Sequence, residues 1–192
     1  MKKIKILLPV LAILLVLCAC MPNDYAGVSD LPDENLPAPQ SKEELYSLYD
    51  AIERDMTKTA VEEMFGEGEK KFDEYGDVKY INYYNDTKSA GVSVIYSDKD
   101  TVKTKMLYFN KKASLVPFSG RFDDSLVPDV KSDMTVEDAL AVMGSAPLEL
   151  SCTYNESGPL DMAKIYCWYN EDESNFMLHT ENGIINNVAL YR

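Results

Sequence analysis

The sequence predicts an α+β fold made of two tandem repeats of one unit, each a helix-turn-helix followed by a four-stranded antiparallel sheet. Three observations lead there. Helix-capping signals stand at Ser41 and Thr57 and again at Thr135. Each capped region is followed by Val-, Ile- and Tyr-rich runs broken by turn residues, the pattern of short strands. The order also recurs: Asp55-Met56-Thr57 returns as Asp133-Met134-Thr135 and Phe65-Gly66 as Met143-Gly144, both at an offset of 78 residues. A chain of 192 residues has room for one domain or two small ones.

The N-terminus comes first. Lys2-Lys3-Ile4-Lys5 precede an apolar run from Ile6 to Leu17, a secretory signal pattern too short for a comfortable span of ~20 residues. Leu17-Cys18-Ala19-Cys20 resembles the bacterial lipobox, which implies that residues 1–19 are removed and that Cys20 carries a diacylglycerol; an ordinary signal peptide or an uncleaved anchor is the alternative. Cleavage takes three lysines and no acid, so the formal net charge of −13 becomes −16. Residues 20–40 hold Pro22, Pro32, Pro37 and Pro39 with four acids and read as an extended, self-repelling tether. Two repeats follow, at 41–118 and 119–192.

In the first repeat Ser41-Lys42-Glu43-Glu44 is a capping box, and Leu45, Leu48, Tyr49 and Ile52 follow at helical spacing, predicting a helix from 42 to about 53. A second helix begins after Thr57, with Met56 placed to staple onto Val61, and ends at Gly66. In the second repeat Pro128 cuts the first helix to about a turn, and Thr135 to Asp138 caps the next. Strands are predicted at 69–75 (the weakest), 78–84, 91–97, 101–109, 148–154, 163–169, 175–180 and 184–191, with Glu181-Asn182-Gly183 as a hairpin turn. Alternation then points Val102, Thr104, Met106 and Tyr108 at the helices and Lys103 and Lys105 away. On the last strand it points Ile184, Asn186, Val188 and Leu190 inward and leaves Ile185, Asn187, Ala189 and Tyr191 on an unusually apolar outer face.

The Met-Thr helix pair with its following strands, occurring twice, resembles the β-lactamase-inhibitor-like (BLIP-like) tandem repeat, and in its single unit the small SmpA/OmlA-type envelope lipoproteins. The match is carried by Asp55-Met56-Thr57, Val61 and Phe65-Gly66, by Asp133-Met134-Thr135, Ala139 and Met143-Gly144, and by Trp168. The family pattern more often has Gly where this chain has Asp55 and Asp133. The resemblance implies sheets joined into one concave surface, rich in aromatics, that grips a partner protein without catalysis.

The chemistry available agrees with binding. One histidine, His179, and four cysteines leave no HExxH, no GxSxG with spare histidines and no CxxC, so no catalytic residue, no metal site and no cofactor is expected. Net negative charge argues against nucleic acid. Cys152 and Cys167 fall opposite one another in a hairpin turning near Pro159-Leu160, which in an exported protein predicts a disulfide, with two buried thiols as the alternative. Aromatics crowd the strands, about half of them facing the helices; the candidate partner-binding set is Tyr83, Tyr84, Trp168, Tyr169, Met177, His179 and Tyr191. Acidic clusters at Asp98-Asp100, at Asp123-Asp124 with Asp129, and at Glu171-Asp172-Glu173 match no calcium loop and fit turn chemistry. The expected protein is a lipid-anchored, extracytoplasmic binder of an envelope protein, inhibiting or scaffolding it. The alternative is an envelope protein that binds or weakly hydrolyses cell-wall fragments.

Overall fold

The computed structural model describes residues 39–109, 116–155, 158 and 162–192. The lipobox, Cys20 and nearly all of the tether lie outside the described residues. Helix α1 (Lys42–Ala51) starts at Ser41, whose Oγ accepts from Glu44 N at 3.0 Å, and buries Leu45 and Tyr49. Helix α2 (Lys58–Phe65) starts at Thr57, whose Oγ1 accepts from Ala60 N, and stops at Gly66, φ 80°. Pro128 lies in a single 3₁₀ turn, Val127–Asp129. Helix α3 (Val136–Met143) carries the full capping box, Thr135 with Asp138, and ends on left-handed Gly144.

The strands are β1 (Glu69–Phe72), β2 (Val78–Tyr84), β3 (Ala90–Tyr96), β4 (Val102–Phe109), β5 (Leu148–Tyr154), β6 (Met162–Tyr169), β7 (Asn175–Glu181) and β8 (Ile184–Tyr191). They form one antiparallel sheet in sequence order, so the chain is α+β, with three α-helices among the described residues. Asn182 (φ 54°) and Gly183 (φ 81°) both take the positive φ that a two-residue hairpin turn requires. β4 and β5 join the halves through three pairs: Thr104 with Thr153, Lys105 with Cys152, Met106 with Ser151.

Register shows that the helices of both halves cover the same side. Tyr83, Val92 and Leu107 are paired in a row beneath α1, and Lys105, two residues from Leu107, continues through Cys152 to Lys164. Tyr166 and Trp168, on the same side of β6 as Lys164, pair with Leu178 and Phe176. Two apolar clusters result. One gathers Leu45, Tyr49, Ile52 and Val61 of the first helical region with Ile81, Tyr83, Val92 and Val94; the other gathers Ala139 and Met143 of α3 with Trp168, Phe176, Leu178 and Ile185.

Two strand faces differ from the sequence expectation. On β4 it is Lys105, Leu107 and Phe109 that lie toward the helices, while Thr104, Met106 and Tyr108 lie on the far side. Lys105 is 8% exposed, because its ammonium finds a backbone carbonyl of α1, Tyr49 O, at 2.7 Å. On β8 the register slips between His179 and Thr180, so that Thr180 pairs with Ile185 and His179 with Asn187. This bulge turns Ile185 inward, 1% exposed, and leaves Ile184 at 44%, while Val188 and Leu190 stay packed inward as expected.

The two Asp-Met-Thr segments make equivalent bonds. Lys58 N donates to Asp100 O and Val102 N to Met56 O; correspondingly Val136 N donates to Gly183 O and Ile185 N to Met134 O. Each segment thereby fastens a helix start to the beginning of the last strand of its half. Asp55 and Asp133 both have positive φ, 61° and 75°. That conformation suits glycine best and Asp and Asn next, which accounts for an aspartate where the resembled family more often has glycine. Asp133→Gly is expected to leave stability unchanged or slightly raised, and Asp133→Val to lower it by about 1–2 kcal/mol, measured by denaturant unfolding of the two variants.

Candidate functional site

The residues expected to form an aromatic binding face are distributed between two buried regions and the solvent. Tyr83 (2% exposed) and Trp168 (0%) are on the helix side. Tyr83 OH shares a hydrogen with Tyr96 OH at 2.9 Å, and Trp168 Nε1 donates to Ser145 O at 3.0 Å while its ring lies 5.6 Å from that of Phe176. Both are core. Tyr169 (1%) and Met177 (4%) point to the other side yet are buried too; Val116 and Phe118 pack against their cluster, and Tyr169 N donates to Ser119 Oγ. Tyr84, also on that side, is half-buried, taking a hydrogen bond from Asn82 Nδ2 and stacking edge-on against Tyr108. His179 is half-buried, and Tyr191 at 44% is the one freely exposed member of the set. The expected continuous face is therefore absent from these seven positions: helices cover one side of the sheet, and the segment before α3 packs against the cluster holding Tyr169 and Met177.

Half of the exposed large apolar side chains among the described residues lie together on another element. Phe72 (59%), Tyr75 (82%) and Val78 (49%) fall within the β1–β2 hairpin, where Phe72 and Val78 are direct cross-strand partners. The turn between them is well bonded. Asp73 Oδ1 accepts from Tyr75 N and Asp77 N, Asp73 N donates to Asp77 O, and Gly76 takes φ 87°. Sequence reading passed over this tip because β1 is short and weakly patterned. The available signal was an aromatic residue, Tyr75, set among the turn-forming residues Asp73, Gly76 and Asp77.

The cysteines also differ from expectation. Cys152 pairs with Lys164 and Cys167 with Leu148, so the two are three positions out of register. Since β6 is regular between Lys164 and Cys167, their side chains leave opposite faces of the sheet. Both are buried thiols with no bridge between them, and burial pushes Cys152 above its ordinary value. Among the acidic clusters, Asp123 Oδ1 accepts from Ser125 N, and Asp172 Oδ1 accepts from both Ser174 N and Ser174 Oγ; these bonds hold both carboxyls below their usual range. Turn chemistry is thus their visible role.

A cleft of about 660 Å³ opens on the helix side above the β4–β5 seam. Its floor is Lys105, Glu149 and Lys164. Glu149 Oε1 accepts from Tyr49 OH at 2.8 Å and Oε2 from Lys164 Nζ at 2.8 Å, while Tyr46 OH donates to the Glu149 carbonyl at 3.1 Å. Lys105 Nζ lies 4.2 Å from the Tyr49 ring centroid, a cation–π distance. Burial lowers Lys105; burial is also the largest single influence on Lys164, but the bond to Glu149 and the charge of Glu149 together with its neighbours outweigh it and hold Lys164 above its ordinary value.

No family model and no curated protein matches the sequence. Among solved structures, one described as a "putative beta-lactamase inhibitor protein" from Streptococcus mutans shares 13% identity over 74% of this chain and 92% of that chain, with a TM-score of 0.45. A likeness of that degree leaves function to be read from this chain's own geometry.

Two expectations follow from the site geometry. Alkylation of the denatured, unreduced protein should modify both Cys152 and Cys167 in full by peptide mass spectrometry; protection of the pair until reductant is added would show a bridge that this register forbids. The chain's one histidine gives a clean pH window. Burial lowers His179 in the folded state, so the unfolded chain binds the proton first. Stability is fully present above the unfolded value of about 6.5 and is lost as pH falls through it toward the folded value. His179→Gln should flatten the fall in denaturation midpoint between about pH 7.5 and 5.5.

Proposed function

We propose that this chain is a non-catalytic binding protein, carried on the outer side of a cell membrane by a lipid on Cys20, which engages a partner protein through the tip of its β1–β2 hairpin. The observation that carries the reading is the concentration of Phe72, Tyr75 and Val78 at one bonded turn, half of the six large apolar side chains that are exposed among the described residues. Isolated exposed apolar residues are ordinary, but three on one hairpin form a projecting anchor of the kind that fills a pocket on a partner. The turn's own hydrogen bonds reduce the ordering cost on association. The lipobox and the acidic tether support the location: a body of net charge −16 on a proline-bearing linker is repelled by an anionic surface and stands clear of it.

A photo-crosslinking residue placed at Tyr75 in living cells tests this against the same residue at exposed Lys103 on β4. The expected result is one adduct of discrete mass from position 75, absent from 103 and lost when Phe72 and Val78 are both changed to Asp. No adduct at 75, or the same adducts from both positions, refutes the hairpin as the contact.

A further inference from the structure

The geometry points to the cleft over the β4–β5 seam as a binding site for a small organic carboxylate, with Lys105 as the residue that pairs with it. This site is separate from the hairpin tip and does not depend on the partner-protein reading.

The inference starts from a buried cation that has no ion pair. Lys105 is more than nine-tenths buried, and no carboxylate among the described residues lies within the 4.0 Å of an ion pair with its Nζ. Glu149 is the natural candidate, but its two oxygens are committed to Tyr49 OH and to Lys164 Nζ. Asp50, Glu137 and Lys42 also line the cleft, so its charges match in number, but of the two floor ammonium groups Lys164 has a carboxylate in ion-pair contact and Lys105 has none. An ammonium has three N–H donors, and Lys105 spends one on Tyr49 O and turns one face to the Tyr49 ring. Burying a cation without a paired anion is costly, and a carboxylate arriving from outside supplies that missing partner.

The remaining surface sets the class of ligand. A cleft of about 660 Å³ is the size of small-molecule sites and too small to seat a folded partner. Its walls include the side chains of Tyr46, Tyr166, Val136 and Leu140, which suit an aromatic or branched apolar body. Tyr46 and Tyr166 come from different halves of the chain, α1 and β6, so the site is complete only where the halves meet. A monocarboxylate with one apolar group matches both parts: its charge to Lys105 and its body between the walls.

Phenylacetate and its uncharged counterpart phenylacetamide are suitable probes, titrated calorimetrically into the full chain in non-ionic detergent. The expected result is saturable binding of phenylacetate, with the amide at least about tenfold weaker. Lys105→Met should weaken phenylacetate by about tenfold or more, whereas Lys103→Met, at an exposed β4 lysine outside the cleft lining, should change it by less than about threefold. A second measurement needs no variant: in methyl NMR of the wild-type chain, phenylacetate should shift Val136 and Leu140 while Val92 and Leu178 stay in place. Equal binding of acid and amide, indifference to Lys105→Met in a folded variant, shifts confined to methyls outside the cleft, or binding only of an acidic peptide would each overturn the proposal.

Discussion

Eight strands become one sheet through three residue pairs between β4 and β5, and the middle pair carries Lys105. A slip of one residue would turn Lys105 to the far face, and a slip of two would move it by about 7 Å along the strand, away from Tyr49 O. Neither keeps the ammonium bonded. The neighbouring Glu149 adds a second condition, since it meets Tyr49 of α1 and Lys164 of β6 at once. Buried ion pairs add little net stability over apolar packing, but breaking one partner's contacts is strongly unfavourable. The polar seam is thus suited to fixing one register between two halves whose separate apolar clusters would tolerate others.

That arrangement also decides what the aromatic residues do. Helices from both halves lie on one side, so every aromatic with the parity of Tyr83 or Trp168 is drawn into a core. On the opposite side the segment around Val116 and Phe118 packs against the cluster that contains Tyr169 and Met177. An aromatic-rich strand sequence therefore yields little open aromatic surface. The large aromatics that stay outside among the described residues are those that register cannot bring under a helix or that segment: Phe72 and Tyr75 of the β1–β2 hairpin, and Tyr191 near the end of the last strand.

The parts legible in the sequence were those fixed by neighbours in the chain. Ser41, Thr57 and Thr135 cap the helices, Pro128 limits one to a 3₁₀ turn, and Asn182-Gly183 makes the last hairpin, because each depends on a few adjacent residues. The misread features depend on contacts far away or on a single inserted residue. Alternation along β4 points Lys105 outward, and what makes its burial tolerable, the carbonyl and ring of Tyr49, lies 56 residues earlier. One bulge exchanges Ile184 and Ile185. The cysteine pair failed for a similar reason: a hairpin centred near residue 158 instead of between Pro159 and Leu160 moves the partner of Cys152 by three positions and onto the other face.

Charge ties the seam to the rest of the surface. Two of the chain's lysines, Lys105 and Lys164, are drawn into the floor of the cleft, whereas Asp123, Asp172 and Asp73 sit at exposed turns where their oxygens hold backbone N–H groups. The exterior is accordingly more negative than a count over the whole chain conveys. An approaching carboxylate meets repulsion at long range and attraction only at Lys105, whose burial makes the pair stronger than one at the surface. At physiological salt the Debye length is about 8 Å, so the outer field is largely screened while the contact with buried Lys105 is less affected. Short-range complementarity against an opposing far field favours a small, singly charged ligand over a polyanion, because each added negative charge raises the outer barrier while the floor offers one unpaired ammonium to receive it.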